Sequence, residues 1–229
     1  MNGGKKQLDA DEESKRKALQ GIGRVHAEGI TQDELTRIYD DWAEKYDDDI
    51  NSNVYKGPEY VAEALSELYK ESERKSIKVL DVAAGTGRIG IALHRLGFQS
   101  FLDALEPSAK MLEILSSHNT YGKQWMDTIG LHQTDIKDNY YDAIVSSGAF
   151  GGGHIPVSAI HEMVRVVKSG GYFVIILREE YLTTTEEYSK LEPLLNKLEE
   201  GKILKRINRK VVPNYSLDNN GVIFVYQIS

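Results

Sequence analysis

The chain has 229 residues, 41% of them hydrophobic, and no apolar run approaches the roughly 20 residues that a membrane-spanning helix needs, so we expect a soluble protein. With 28 Lys and Arg against 35 Asp and Glu, the formal charge is −7, which argues against nucleic acid as the main partner. Cysteine is absent, which excludes disulfides, thiolate metal sites and cysteine nucleophiles.

The first segment, residues 1–28, is rich in charge and glycine and shows little apolar periodicity. We predict a flexible charged tail there, with at most one short helix. The first 20 residues also lack the apolar stretch of a signal peptide, so the predicted location is the cytoplasm, with the nucleus as an alternative. Residues 29–229 are predicted to form a single domain.

Two helices are predicted within residues 29–75. Thr31 and Glu34 have the spacing of a capping box, and apolar or aromatic residues follow at helical intervals. Pro58 is a favoured first-turn residue and is expected to begin the second helix.

From residue 76 to residue 180, predicted strands alternate with predicted helices, which indicates a mostly parallel sheet with helices on both faces. The predicted strands are 78–82, 101–105, a short one near 124–129, 141–146 and 172–177. The predicted helices are 88–96, 108–117 and 156–168.

The last segment, residues 181–229, is predicted to hold a helix and a strand pair. Leucines recur in register from Leu191, and Pro193 is expected to kink or restart the helix. Strands are predicted at 203–212 and 221–228, and turn-forming residues between them predict a hairpin. The C-terminal strand is therefore expected to be antiparallel.

The strongest functional signal is an apolar strand that ends in Asp81 and is followed by a turn of small residues. In this turn, Gly85 and Gly87 let the backbone approach a ligand where a Cβ atom would collide. Ligands of open α/β sheets usually bind at this carboxyl edge of the strands. The sequence therefore predicts a ligand site at the turn.

The same turn also matches the dinucleotide fingerprint, since Gly90 completes the glycine pattern and Glu106 lies at the distance expected for a ribose-binding acid. Asp81 argues against a dinucleotide, because a carboxylate here crowds a pyrophosphate. The acid suits a ligand that carries an ammonium group and a sulfonium. S-adenosylmethionine is therefore favoured over NAD or NADP.

Four segments in the expected order resemble the class I S-adenosylmethionine-dependent methyltransferases. They are the turn at 81–87, the acid-containing segment 105–108, the strand at 141–145 and the segment 165–171. The stretches 39–47 and 148–156 further resemble the Williams-Beuren-region methyltransferase-like proteins. The resemblance implies a Rossmann-like fold, an N-terminal helical lid and S-adenosylmethionine as cofactor, with S-adenosylhomocysteine as product.

The resemblance also implies a set of cofactor contacts. The set consists of Tyr46, Asp81, Ala83, Gly85, Thr86, Gly87, Glu106, Pro107, Met111, Thr128, Ile129, Gly130, Ser147 and Gly148. Glu106 is expected to bind both ribose hydroxyls. Gly130 stands where many relatives carry an acid for the adenine amino group, so Thr128, Ile129 or backbone groups are expected to replace that contact. Core packing alone is the alternative role for Met111, and helix packing is the alternative for Tyr46.

Methyl transfer from a sulfonium needs mainly positioning and desolvation of the reactants. If the acceptor must lose a proton, His154 in a glycine-rich loop is the candidate base, although a loop residue without chemical duty is the alternative. Aromatic residues at 39, 42, 46, 55 and 150 are expected to form a pocket for a small metabolite, and Arg178 to pair with a carboxylate on it. A protein side chain is the lesser acceptor, and no metal site is predicted.

Two other functions stay open at the level of sequence. One is a cofactor-binding protein that has lost catalysis and serves as a sensor or scaffold, and the other is an oxidoreductase that uses NAD or NADP. Binding of S-adenosylhomocysteine without binding of NAD excludes the oxidoreductase but not the sensor. The sequence predicts no oligomeric state.

Overall fold

The computed structural model describes residues 2–27, 29–99 and 101–229, with side chains described at 12–27, 29–99 and 102–229. Within these residues, seven strands form one sheet in the order β3-β2-β1-β4-β5-β7-β6. The strands are β1 Lys78–Val82, β2 Phe101–Leu105, β3 Gln124–Trp125, β4 Tyr141–Ser147, β5 Val167–Arg178, β6 Leu204–Ser216 and β7 Asn219–Ile228. Neighbouring strands from β3 to β5 are parallel, whereas β7 is antiparallel to both β5 and β6. This confirms the predicted fold class.

Helices cover both faces of the sheet. They are α1 Asn2–Val25, α2 Gln32–Asp49, α3 Gly57–Ser66, α4 Glu71–Arg74, α5 Arg88–Arg95, α6 Ala109–Ser117, α7 Ala159–Val166, α8 Tyr181–Thr184 and α9 Leu191–Glu200. Successive residues of β1 point to opposite faces, so Val79 joins a core with α2, α3 and α5, while Leu80 joins a core with α7 and α9. Among the described helices, none is long and apolar enough to cross a membrane.

The central strands place four segments at one edge of the sheet. Val82 at the end of β1 pairs with Leu105 at the end of β2, and Ser147 at the end of β4 pairs with Ile176 of β5. Because these strands are parallel, the turns that follow them lie side by side. The carboxyl edge of the sheet therefore collects the residues just beyond 82, 105, 147 and 176.

Two predicted boundaries in this part are wrong by several residues. Helix α7 ends at Val166 instead of 168, because Val167 already pairs with Tyr141 and begins β5. The register between β4 and β5 then shifts, and Gly170 adopts a positive φ of 80° in that irregular stretch. Strand β3 is limited to two residues and is thus shorter than predicted.

The C-terminal region follows the predicted order. Helix α9 begins at Leu191, so Pro193 lies in its first turn, where a missing N–H breaks no helical hydrogen bond. Strands β6 and β7 form the predicted hairpin, with Ser216 pairing with Asn219 across a two-residue turn. The predicted antiparallel strand is β7. It pairs with β5, and its hairpin partner β6 lies at the edge of the sheet.

Helix α1 differs from the prediction, which allowed at most one short helix before residue 29. Ala18, Gly21 and Val25 are buried and recur at helical spacing, so they form a narrow apolar face. A Cβ atom at Gly21 would lie 2.0 Å from the ring of Trp42 in α2, so the missing side chain lets the two helices approach. An apolar face this narrow is not recognisable from the sequence alone when the surrounding residues are mostly charged. The division into a tail and a single domain stays a prediction.

Candidate active site

A cavity lies between the carboxyl edge of the sheet and helices α1 and α2. The predicted site residues that line it are Tyr46, Ala83, Gly85, Glu106, Pro107, Met111, Thr128, Ile129, Ser147, Gly148 and His154. The other predicted site residues are not among the described residues that line this cavity. They are Asp81, Thr86, Gly87 and Gly130. The structure therefore brings most of the predicted site to one cavity and places four residues behind its wall.

Glu106 follows β2 and is only 6% exposed. One carboxylate oxygen accepts a hydrogen bond from the Gly85 N–H at 2.9 Å, and the other accepts from the Ser108 N–H at 2.9 Å. A carboxylate has about four lone-pair positions, so roughly two remain for donors inside the cavity. Burial raises the pKa of Glu106 to about 7, against the effect of the two N–H donors, and the negative charge of Asp40 adds to the rise. Glu106 is thus positioned to accept from two ligand hydroxyls.

The two glycines of the turn have different structural roles. Gly85 has a φ of 55°, lines the cavity, and has nothing within 4 Å of the position where a Cβ atom would lie. Gly87 has a φ of 89° and begins α5, and a Cβ atom there would lie 2.9 Å from Tyr121 and 3.0 Å from Leu115. Gly85 therefore leaves room for a ligand, whereas Gly87 allows close packing behind the turn.

Asp81 is buried behind the turn and is not among the described residues that line the cavity, so its expected contact with a ligand stays a prediction. The Tyr121 hydroxyl donates to its Oδ2 at 2.5 Å, while the buried Oδ1 has no hydrogen-bond partner among the described residues. Burial raises the pKa of Asp81 to about 7; the Tyr121 hydrogen bond opposes the rise, and the charge of Glu106 adds to it. The carboxylate acts on the cavity as a buried charge through the turn.

Thr86 also lies behind the wall, because its side chain fastens the turn to α2. Its Oγ1 donates to Asp47 at 2.8 Å, and the side chain is buried. A second link joins α2 to the start of α6, where the Ser108 Oγ donates to Asp40 at 2.6 Å. Both acids belong to α2, so these two hydrogen bonds hold the helix, and with it Tyr46, over the cavity.

The residues predicted to lie near the adenine of the cofactor fall into two groups. The first group lines the cavity and consists of Pro107, Met111, Thr128 and Ile129. Met111 is only 1% exposed, so it both packs in the core and forms part of the cavity wall. Gly130 has a φ of 89° and packs on α7, where a Cβ atom would lie 2.5 Å from the Cβ of Ala159. That packing explains why position 130 holds no side chain and lies outside the wall.

Ser147 and Gly148 form the floor of the cavity next to β4. The hydroxyls of Ser147 and Tyr55 are hydrogen-bonded at 2.6 Å. Gly148 has a φ of 74°, and a Cβ atom there would lie 2.6 Å from the Tyr55 hydroxyl. The floor is therefore backbone and small polar groups, with Tyr55 holding the serine in place.

His154 lines the cavity beneath α2 and hydrogen-bonds with Tyr39 through its Nε2 at 2.7 Å. Its Nδ1 lies 2.9 Å from the carbonyl of Gly152, which can only accept, so Nδ1 carries the proton in the neutral ring. The Tyr39 hydroxyl then donates to Nε2. Burial lowers the pKa of His154 to about 4, with a contribution from His26, so the ring is neutral at neutral pH.

The aromatic residues expected to form a pocket, at 39, 42, 46, 55 and 150, all line the same cavity, as does Arg178 at the end of β5. The turn just after helix α1 adds His26, whose ring centroid is 5.0 Å from that of His154. The cavity thus continues from the turn and Glu106 to a second region with a histidine pair, tyrosines and a guanidinium.

Comparison with known proteins identifies the domain that carries this cavity. Residues 80–175 match the family model described as a methyltransferase domain. The crystal structure of a SAM dependent methyltransferase from Aquifex aeolicus has a TM-score of 0.57 at 17% identity, and the match covers 83% of this chain and 98% of that one. The likeness shows that the strand order and layers are those of this fold. Residues 80–175 thus match a methyltransferase domain, and the chain has the fold of the class I methyltransferases.

Two sequence relatives support the predicted resemblance. Methyltransferase-like protein 27 of Homo sapiens is 29% identical over 164 residues, covering 71% of this chain and 65% of that protein. A demethylmenaquinone methyltransferase of Thermotoga maritima is 30% identical over 154 residues, covering 65% of this chain and 63% of that protein. The matched part of the chain thus spans just under two thirds of the length of these relatives.

A methyltransferase domain implies S-adenosylmethionine as the cofactor, and the residues of this chain fit it. Glu106 keeps acceptor positions for two hydroxyls, as a ribose requires. Two buried carboxylates with raised pKa values, Asp81 and Glu106, lie close enough to affect each other, so a cation nearby stabilises both ionised forms. The backbone at Gly85 is open to the cavity.

Several residues of the site escaped prediction. Tyr121 binds Asp81, and Asp40 and Asp47 fasten α2. The two acids lie in the stretch 39–47 that carries the family resemblance, but neither was expected in the site, and Tyr121 belongs to no recognisable motif. His26 directly follows α1, a helix that was itself not predicted in full. The one available signal was the nearness of Asp40 and Asp47 to the aromatic residues of α2.

Proposed function

We propose that this chain is an active S-adenosylmethionine-dependent methyltransferase whose acceptor is a small metabolite. The supporting observation is that one cavity contains both the cofactor-side residues, such as Glu106, and a second region with Tyr39, His154 and Arg178. A sensor that only binds the cofactor has no need for that second region. The proposal includes the predicted cytoplasmic or nuclear location.

Binding of the cofactor is assigned to the turn and to Glu106. The carboxylate of Glu106 would accept from the ribose hydroxyls, while the open backbone at Gly85 would lie against the amino-acid part. Asp81 contributes its charge from behind the turn, since its free oxygen is buried. A buried charge acts strongly in a site with few waters, so this carboxylate would favour a cationic ligand.

The bound cofactor supplies an activated methyl group on a sulfonium, so the chain mainly has to orient the acceptor and exclude water. Helices α1 and α2 cover the cavity, and the hydrogen bonds from Thr86 and Ser108 hold α2 in that place. An acceptor that loses a proton can pass it to the Tyr39 oxygen while the Tyr39 proton moves to Nε2 of His154. With its lowered pKa of about 4, His154 takes this proton only once the acceptor has become acidic.

A small acceptor is favoured because the second region lies beneath α1 and α2. Side chains of both helices, including Val25 and Tyr39, line the cavity together with His26. One relative is named as a demethylmenaquinone methyltransferase, which agrees with an acceptor that is not a macromolecule. A protein side chain is the second candidate.

The test combines calorimetry with a turnover assay on the full chain. Titration with S-adenosylhomocysteine, NAD and NADP is expected to show binding of S-adenosylhomocysteine alone. A panel of metabolites with S-adenosylmethionine is expected to yield S-adenosylhomocysteine. Binding without turnover on any panel member would favour the sensor, and binding of NAD would favour the oxidoreductase.

A further inference from the structure

The second region of the cavity contains Arg178, at the end of β5. Its side chain is 15% exposed and lines the cavity, and its guanidinium carbon lies 5.7 Å from the centre of the Tyr181 ring. Among the described residues of the cavity wall, Arg178 is the only lysine or arginine. The two histidines nearby, His26 and His154, have lowered pKa values because of burial and are neutral at neutral pH. Arg178 is thus the fixed positive charge of this region.

The guanidinium of Arg178 is only weakly engaged by the protein. It donates to Glu180 at 3.3 Å and to the Ser216 hydroxyl at 3.3 Å, both at the long end of the normal range. Glu180 is 47% exposed, and an ion pair of this kind contributes little. An arginine has five N–H donors, and within the described part of the chain only these two hydrogen bonds use them.

From this arrangement we infer that the methyl acceptor carries an ionised carboxylate, which Arg178 binds in the cavity. The inference rests on the proposed function and names its substrate class. A guanidinium matches the two oxygens of a carboxylate with parallel hydrogen bonds. A single arginine with neutral histidines fits a singly charged carboxylate better than a phosphate that carries two charges. Tyr181 beside Arg178 and Tyr39 elsewhere in the same wall offer aromatic surface for the body of the acid.

Negative and positive charges then lie in different regions of the cavity, each beside a different proposed ligand. The negative charges of Asp81 and Glu106 lie at the turn, where a cationic cofactor would bind. The positive charge of Arg178 lies beyond Ser147 and Gly148, where the acceptor would bind. An acidic acceptor is thereby attracted to one region and repelled from the other, which orients its carboxylate away from the sulfonium and turns its opposite end toward the methyl group.

The experiment uses hydrocinnamate and its neutral amide as probes. The affinity of each probe is measured by NMR titration of the full chain saturated with S-adenosylhomocysteine. The wild-type chain is expected to bind the acid about tenfold more tightly than the amide. Arg178→Met is expected to remove this preference, and Arg178→Lys to keep part of it. Arg209→Met, which removes a paired arginine of β6 outside the cavity, is the matched control and is expected to keep the full preference.

A second variant keeps the inference testable if Arg178→Met folds poorly. Glu180→Gln removes the competing carboxylate and leaves Arg178 in place, so the acid is expected to bind two- to threefold more tightly and the amide equally well. Equal affinities for acid and amide in the wild-type chain, an unchanged preference in Arg178→Met, or no binding of the acid at millimolar concentration would overturn the inference. Calorimetry with S-adenosylhomocysteine is run on the wild-type chain and on each variant. A wild-type chain that does not bind S-adenosylhomocysteine would instead refute the proposed function.

Discussion

The two regions of the cavity are built in different ways. The region proposed to bind the cofactor, here the cofactor region, is centred on two short segments, 81–87 and 105–108, whose groups are held by backbone hydrogen bonds such as those from Gly85 and Ser108 to Glu106. The region proposed to bind the acceptor, here the acceptor region, joins segments far apart in the chain, and its hydrogen bond between Tyr39 and His154 spans 115 positions. The first depends on local turn geometry, and the second depends on tertiary packing. Substitutions in the two regions should therefore affect different measured quantities.

The largest expected effect is on the cofactor region, through Glu106→Gln. The neutral amide loses the charge-assisted hydrogen bonds to ribose and accepts from only one of the two backbone N–H groups, so the affinity for S-adenosylhomocysteine is expected to fall about 100-fold. Calorimetry measures the change. The control is Glu113→Gln, an acid on the exposed side of α6, which is expected to change nothing. Equal affinity in the wild type and Glu106→Gln would contradict the assigned role.

The two turn glycines sharpen the comparison further. Gly85→Ala is expected to lower the affinity for S-adenosylhomocysteine roughly 30-fold, because its Cβ enters open ligand space, while the positive φ costs only about 1 kcal/mol of stability. Gly87→Ala places its Cβ against Tyr121 and Leu115, so the free energy of unfolding is expected to fall by about 2 kcal/mol or more. Calorimetry and thermal unfolding of both variants measure these effects. A larger affinity loss in Gly87→Ala than in Gly85→Ala would reverse the assignment.

Asp81→Asn is expected to weaken binding of S-adenosylhomocysteine about tenfold at pH 8 and to stabilise the cofactor-free chain. Burial raises the pKa of Asp81 from its ordinary 3.8 to about 7, so the stability present below pH 3.8 is lost as the pH rises through about 7. Asparagine cannot ionise and escapes that loss, so a gain of about 2 kcal/mol is expected at pH 8. Denaturant titration at pH 5 and pH 8 measures it, and a variant less stable than the wild type at pH 8 would be the contrary result.

The wild-type affinity should itself depend on pH. Below about pH 7 protons bind to Asp81 and Glu106 and remove the charges that favour a cation, so the affinity is expected to fall severalfold between pH 8 and pH 6. Calorimetry across this range measures the trend, and Asp81→Asn is expected to flatten part of it. An affinity that rises toward pH 6 would contradict the electrostatic account of the cofactor region.

The smallest expected effect tests the acceptor region through Tyr39→Phe. The change removes the hydroxyl that donates to Nε2 of His154, so turnover with an identified acceptor is expected to fall about fivefold, while the affinity for S-adenosylhomocysteine stays the same. Tyr60→Phe, which removes an exposed hydroxyl bonded to the Pro213 carbonyl, is the control. A change in cofactor affinity without a change in turnover would show that the two regions are not separable in this way.

The difference between the regions also explains what the sequence could predict. The turn at 81–87 and the acid at 106 are local patterns, and Ala83, Gly85 and Glu106 line the cavity as expected. Asp81, Thr86 and Gly87 lie behind the wall instead. Asp81 faces Tyr121, because a hydroxyl supplied by the loop after α6 has no sequence signal. Helix α1 and the contact of Tyr39 with His154 arise from packing between distant segments, which spacing along the chain does not reveal.

A crystal structure of the chain with S-adenosylhomocysteine bound would test the central claim most directly. The account predicts both ribose hydroxyls within hydrogen-bond distance of Glu106 and the amino-acid part against the backbone of Gly85, with Asp81 still bound to Tyr121. A ligand seated elsewhere, or a ribose that contacts neither oxygen of Glu106, would contradict it.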